Sequence, residues 1–293
     1  MNQLIGFWNL LEMNRWSKEE TKLIIDSWDV IPIEELCELL PGRTLHAIKS
    51  KATDSGIRNK QEVPQSHPKY LLNHDFFANP NINNCYWAGF IAADGCIFHR
   101  GQNSKTLHIT LQSSDQNHLE IFKQQIQFTG PLEHKVQKPS CRLHKQKEYY
   151  SSTIKFHSVK LCENLLIYWN ITPKKSLTLQ PPALSSRQQV LSYIIGYIDG
   201  DGCISLRNEN RKLVLQITST NELLSWINLQ FDNIGIISRP KQYKNNTYRL
   251  KFGGENCRTV LKILKNHIIQ NNLPCLNRKW DLVTNERLKS KHI

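Results

Sequence analysis

Hydrophobic positions along this chain change period several times, and each change marks an element. From Trp16 to Ala52 they recur at helical spacing. Leu23, Ile24 and Trp28 share one helical face, and Ile33, Leu36, Leu39 and Leu40 lie on a second short helix. Pro41-Gly42 turns the chain into a third, Arg43–Ala52, started by Thr44. Ser17 followed by Glu20 gives the first helix a capping box. The pattern predicts a three-helix unit over 14–60. An Asn/Pro-rich stretch reads as a linker over 61–84, with a short ordered piece near Tyr70-Leu71-Leu72.

From Tyr86 the pattern is different, and it occurs twice. A long apolar helix ends at a Gly and runs into strict alternation, Leu107/Ile109/Leu111 in the first copy and Leu213/Leu215/Ile217 in the second. Alternation of period two predicts half-buried strands. A helix follows, marked by Leu119, Phe122 and Ile126, or by Leu223/Leu224, Ile227 and Phe231. Two further strands come next, the last carrying Ile154/Phe156 or Tyr248/Leu250/Phe252. A second helix, near 159–169 or 256–267, leads to a basic pair, Lys174-Lys175 or Arg278-Lys279. The aligned Asp-Gly-Cys-Ile segments begin at Asp94 and Asp201, 107 residues apart (201 − 94). That period fits two domain-sized copies, 85–184 and 185–290, and is far too long for a solenoid.

Each copy starts with a motif whose chemistry is unusual for a core helix. Gly89 and Ala93, then Gly196 and Gly200, put small residues at i and i+4 on one face, which lets two helices approach closely. Asp94 and Asp201 stand in the last helical turn, where the helix carries partial negative charge and a carboxylate is disfavoured. Two such acids at the closest point of two packed helices repel. A bridging divalent cation relieves the repulsion, and oxygen ligands suit Mg2+, which keeps water and phosphate oxygens in its shell.

Ala88-Gly89-Phe90-Ile91-Ala92-Ala93-Asp94-Gly95 and Ile195-Gly196-Tyr197-Ile198-Asp199-Gly200-Asp201-Gly202 resemble the paired signature motifs of a monomeric LAGLIDADG homing endonuclease, over roughly residues 85–290. The resemblance implies an α+β fold of two pseudo-symmetric αββαββα halves packed through their motif helices, here behind a small all-α N-terminal domain. It implies a double-strand DNA endonuclease that cuts a long target across the minor groove and leaves 3′ overhangs. Asp94 and Asp201 would bind the Mg2+, and a basic residue near each scissile phosphate falls on Lys175 and Lys279, with Lys174 and Arg278 as competitors. Gln112 is a further position for orienting water. The first motif has Ala92 where the signature has an acid, whereas the second keeps Asp199. That position is not a metal ligand in the family, so Asp199 is expected to make polar contacts at the helix interface. The alternative reading is an intron RNA maturase, or a DNA-binding regulator that does not cut.

Charge supports a polyanionic partner. The chain has 38 basic and 25 acidic residues, net +13. Residues 1–70 hold 9 basic and 10 acidic residues and residues 71–293 hold 29 and 15, so the excess lies in the repeats. Phosphate neutralisation releases counterions and drives such binding. Double-stranded DNA is the expected partner, intron RNA a second, and a monomer the expected state. On the first sheet His108, Thr110 and Lys155 lie opposite the apolar face; on the second Lys212, Gln216, Arg249 and Lys251 do so, where they can reach base edges and phosphates in a major groove. Basic loops add Arg142, Arg239 and Lys241. The N-terminal unit resembles a Myb/SANT-type helix-turn-helix, which would place Arg43, Lys49, Lys51 and Arg58 on DNA.

The remaining composition excludes other classes. Hydrophobic residues make up 39%, enough for packed cores. No apolar run reaches the ~18 residues of a membrane span, and the first residues show no leader pattern. Eight cysteines without a CxxC pair suit reduced thiols. An intracellular, soluble protein is expected, in a bacterial or phage-host cytoplasm or in an organelle.

Overall fold

The first helix begins where its capping box predicts. In the computed structural model, which describes residues 15–28, 30–57, 69–101, 104–137, 148–207, 212–244 and 246–288, the Glu20 amide donates to Ser17 Oγ at 3.0 Å. The Ser17 amide donates to the Glu20 carboxylate at 2.7 Å. The pair satisfies amides that no intrahelical carbonyl reaches and launches α1 (Lys18–Ser27). α2 (Ile33–Leu39) follows, and Thr44 caps α3 (Leu45–Asp54) through the Ala47 amide. Ile24, Trp28, Leu36, Leu40 and Ile48 pack into a core of their own, while Leu39 turns out to be exposed. The chain divides after Lys69, and a larger unit begins at Tyr70.

In that unit the element order repeats. α4 (Ile82–Asp94), β1 (Gly95–Gly101), β2 (Ser104–Gln112), α5 (Gln116–Gln125), β3 (Glu133–Gln137), β4 (Tyr149–His157) and α6 (Val159–Trp169) make the first half. The second runs α7 (Arg187–Asp201), β5 (Gly202–Arg207), β6 (Lys212–Ser219), α8 (Asn221–Asp232), β7 (Lys241–Lys244), β8 (Thr247–Gly253) and α9 (Gly254–Asn271). Short helices α10 (Asn277–Trp280) and α11 (Asn285–Leu288) come after it. Each half is αββαββα, as the resemblance implies. The sheets have the same order, β1-β2-β4-β3 and β5-β6-β8-β7, with antiparallel neighbours throughout. Leu107, Ile109, Ile154 and Phe156, with Leu215, Ile217, Leu250 and Phe252, form the buried faces.

A single hydrophobic core runs through both halves, and α4 and α7 pass through its centre. Their approach is set by glycine. A Cβ on Gly89 would lie 2.0 Å from the Tyr193 carbonyl oxygen, and one on Gly196 would lie 1.9 Å from that of Tyr86. Backbone rests directly on backbone there.

The expected linker is shorter than 61–84. Phe77 is fully buried, Tyr70, Leu72 and Phe76 pack on the main core, and the Asn73 amide donates to the Ile126 carbonyl at 2.8 Å. Residues 70–84 therefore belong to the first half, and its motif helix starts at Ile82, capped by Asn81. The Asn/Pro content that suggested a linker is a capping and turn signal. Among the described residues no helix is long and apolar enough to cross a membrane.

Candidate active site

Asp94 is the last residue of α4 and Asp201 the last of α7. The glycine after each is extended, with φ −76° at Gly95 and −83° at Gly202, so neither is a left-handed cap. Space decides these positions: a Cβ at Gly95 would meet the Ile91 carbonyl at 2.8 Å, and one at Gly202 would meet that of Ile198 at 2.6 Å. The chain turns from helix to strand within one residue, which leaves each carboxylate at a helix tip.

The two tips are neighbours across the interface. The Asp94 carboxyl carbon lies 3.4 Å from where a Gly200 Cβ would stand. Burial, then the negative charge of Asp201, pushes Asp94 up to about 6, although Lys279, Lys175 and Arg278 pull the other way. Asp201 is also raised by burial, against Lys175, a 3.4 Å hydrogen bond from the Tyr197 hydroxyl, and Lys279. The repulsion belongs to the pair rather than to either member. Both residues keep a solvent-exposed side, so an ion or a phosphate can reach them.

Lys175 and Lys279 are buried, 9% and 8% exposed. Lys175 Nζ donates to the carbonyls of Ala93 (3.3 Å) and Gly95 (2.5 Å) at the end of α4. Lys279 Nζ contacts those of Ile198 (2.8 Å), Asp199 (2.5 Å), Gly200 (2.9 Å) and Gly202 (2.8 Å) at the end of α7. Each ammonium caps the helix whose last residue is the acid and offsets the negative helix end. Burial lowers both pKa values, while Asp201, Cys96 and Asp94 act against it at Lys175, and Asp199 does so first at Lys279. The competing members of the basic pairs are placed differently. Lys174 is exposed in a left-handed conformation, and Arg278 reaches across to Asp115 of the first half at 2.8 Å.

Asp199 makes the expected interface contacts. It accepts from the Tyr86 hydroxyl, the Leu276 amide and Trp280 Nε1, and burial pushes its carboxyl up to about 6 against those bonds.

Strand register places Thr110, Thr218 and Gln112 relative to the helix tips. Gly95 pairs with Ile109, so Thr110 is the residue beside the helix tip, and Gly202 pairs with Ile217, which puts Thr218 at the matching place. Gln112 lies two positions further along, opposite Ser151.

The sheet faces away from the core bring most of the expected contact residues together. His108 pairs with Lys155 and Thr110 with Thr153 on the first sheet; Gln216 pairs with Lys251 and Thr218 with Arg249 on the second. Lys155, Lys212, Arg239, Lys241 and Lys251 are exposed, and the Arg249 guanidinium stacks on the Tyr243 ring, 3.5 Å from its centroid. Glu133 is an acid among them, opposite Thr153. In the N-terminal unit Lys49 is exposed and Lys51 half-buried. Arg43 is committed elsewhere: it pairs with Glu20 at 2.9 Å, donates to the Arg15 carbonyl and stacks on Trp16. Arg58 and Arg142 lie outside the described residues.

Sequence reading passed over Tyr86, Tyr197, His118 and Trp280. Tyr197 had a usable signal, since a tyrosine four residues before a helix-end acid shares its face. The others meet only through tertiary contacts.

Fold and site together define a two-repeat α+β protein built on paired, acid-tipped helices. Its second half carries a LAGLIDADG-like domain: residues 188–265 match the family model of that description. Among solved structures, the LAGLIDADG meganuclease I-AabMI bound to uncleaved DNA aligns with 68% of this chain and 87% of its own, at 13% identity and a TM-score of 0.42. The LAGLIDADG homing endonuclease I-GzeII in complex with its DNA target aligns over 72% and 99%, at 12% identity and a TM-score of 0.40. No curated protein matches the chain.

Proposed function

We propose that this protein is a site-specific DNA endonuclease that hydrolyses both strands of a long duplex target with Mg2+. The observation that carries this reading is the pair of mutually repelling carboxylates, Asp94 and Asp201, at adjoining helix tips. A LAGLIDADG-like match over the second of these helices supports it, as does the basic character of residues 71–293.

The donor set suits a hard divalent ion. Two carboxylates stand at adjoining helix tips, and no group of three ligating side chains occurs among the described residues. An ion held there must take its other ligands from water and phosphate, as Mg2+ does. When bound, it supplies an activated water and stabilises the leaving oxygen. Asp94 and Asp201 would hold it, and their solvent-exposed sides would admit the phosphate. Lys175 and Lys279 fix the helix tips and moderate the negative charge from behind. The two sheet faces, through Lys155, Lys212, Gln216, Arg249 and Lys251, would lie along the DNA on either side of the cut. Cleavage across the minor groove with 3′ overhangs, by a monomer, completes the proposal. The N-terminal helices would extend the footprint through Lys49 and Lys51.

The test is cleavage of a randomised duplex library with capture of the new ends. The expected result is Mg2+-dependent double-strand ends from the wild type, lowered roughly a hundredfold or more by Asp94→Asn and by Asp201→Asn with DNA binding retained. Activity that survives both substitutions would refute the metal assignment. Tight binding of structured RNA without DNA cleavage would move the protein to the maturase reading.

A further inference from the structure

The two halves differ at one buried point, and the difference bears on Lys279. Asp199 is 1% exposed. Its Oδ2 accepts from the Tyr86 hydroxyl of α4 at 2.7 Å and from the Leu276 amide at 3.0 Å; its Oδ1 accepts from Trp280 Nε1 at 2.7 Å. The Tyr86 hydroxyl also meets His118 Nε2 at 2.9 Å. Leu276 and Trp280 bracket Lys279, whose ammonium rests on four carbonyls of residues 198–202. One carboxylate thus joins the motif helix of each half to both ends of the segment that carries the lysine.

Among the described residues the first half has no such arrangement. Ala92 stands where Asp199 does, and Tyr193, the counterpart of Tyr86, buries a hydroxyl without a partner. Lys175 rests on two carbonyls rather than four. A buried carboxylate is expensive unless its oxygens are used, and those of Asp199 are used on the segment around Lys279. An acid that served only to join the helices would need Tyr86 alone.

We propose that Asp199 is a positioning residue, which with Trp280 and the Leu276 amide clamps residues 276–280 so that Lys279 stays locked against the end of α7, beside Asp201. The first half sets Lys175 without a clamp, so loss of Asp199 loosens Lys279, beside one scissile phosphate, and spares Lys175, beside the other. That Asp201 and Lys279 belong to a reacting centre rests on the function proposed above; the clamp itself does not.

The test uses the full chain and two readouts. The first is amine labelling followed by peptide mass spectrometry. In the wild type both lysines react slowly, because each is reached only through local opening. In Trp280→Phe, and in Asp199→Asn, Lys279 should react roughly tenfold faster while Lys175 keeps its wild-type rate. Lys279 protected as before in both variants overturns the clamp. A parallel rise at both lysines also overturns it, since that is general loosening. The second readout follows each strand of a cleavable duplex separately. The variants should slow one strand, accumulate nicked product and leave DNA affinity unchanged. Equal slowing of both strands overturns the assignment to the second half. If the wild type cuts no DNA the function proposed above falls, and labelling still decides the clamp.

Discussion

The clearest test at the scale of single residues is a pair of tyrosines that the repeat makes equivalent. Tyr86 donates to Asp199 and meets His118, whereas Tyr193 is buried with its hydroxyl unsatisfied. A hydroxyl buried without a partner is destabilising, and removing one that is bonded leaves its partner unsatisfied. Tyr86→Phe should therefore lower stability by about 1–2 kcal/mol, and Tyr193→Phe should leave it within about 0.5 kcal/mol or raise it. Chemical denaturation of the two variants checks this; equal losses would show that the hydroxyls have equivalent surroundings. Comparison of the two copies shows Ala92 where the second has Asp199, but which tyrosine is thereby left alone depends on a contact spanning 113 residues.

At the scale of elements, α4 and α7 are fixed by contact between their backbones. Gly89 and Gly196 leave no room for a methyl group, because the atom in the way is a carbonyl oxygen of the facing helix. Neither helix can yield without disturbing the core on both of its sides. Gly89→Ala and Gly196→Ala should each cost roughly 3 kcal/mol or more, whereas alanine at Gly253, where a Cβ meets nothing within 4 Å, should cost far less. Thermal midpoints of the three variants decide the matter, and a Gly89→Ala protein as stable as the wild type would mean that the helices stand further apart. Small residues at i and i+4 made the close approach legible in advance. The glycines at the helix tips were legible as helix ends but not in their physical role, which is clearance of a carbonyl one turn back.

Across the whole molecule, one core links the halves, and His118 lies where the pH dependence of that core can be read. Its ring touches those of Tyr86, Trp87 and Phe90, and burial, with help from Arg278 and Lys279, lowers its pKa from 6.5 to about 3. The folded protein therefore keeps His118 neutral while the unfolded chain protonates it. Its contribution to stability is complete above pH 6.5 and is lost as the pH falls from there towards 3. The raised carboxylates work in the opposite sense, since Asp94 and Asp199 bind protons more readily when folded, from about pH 6 downwards. The total is a compensated profile, so the test must be differential. Relative to His118→Gln, the wild type should lose stability steadily between pH 7 and pH 4 in urea titrations. A constant difference across that range would mean that the ring is protonated in the fold.

The sequence by itself determined the two-copy organisation, the alternation of helices and strands within each copy, the glycine-lined helices and the acids at their tips. All of these follow from local rules: periods of 3.6 and 2, capping residues, and a motif repeated at one distance. Tertiary structure decided the rest. It buried Lys175 and Lys279 against carbonyls about 80 residues away, while leaving Lys174 exposed and Arg278 on Asp115. It turned Arg43 to Glu20 and packed Tyr70, Leu72, Phe76 and Phe77 on the main core. It set Thr110 beside the first helix tip. Each of these outcomes depends on a partner distant in the chain, and no local periodicity records which partner a side chain will meet.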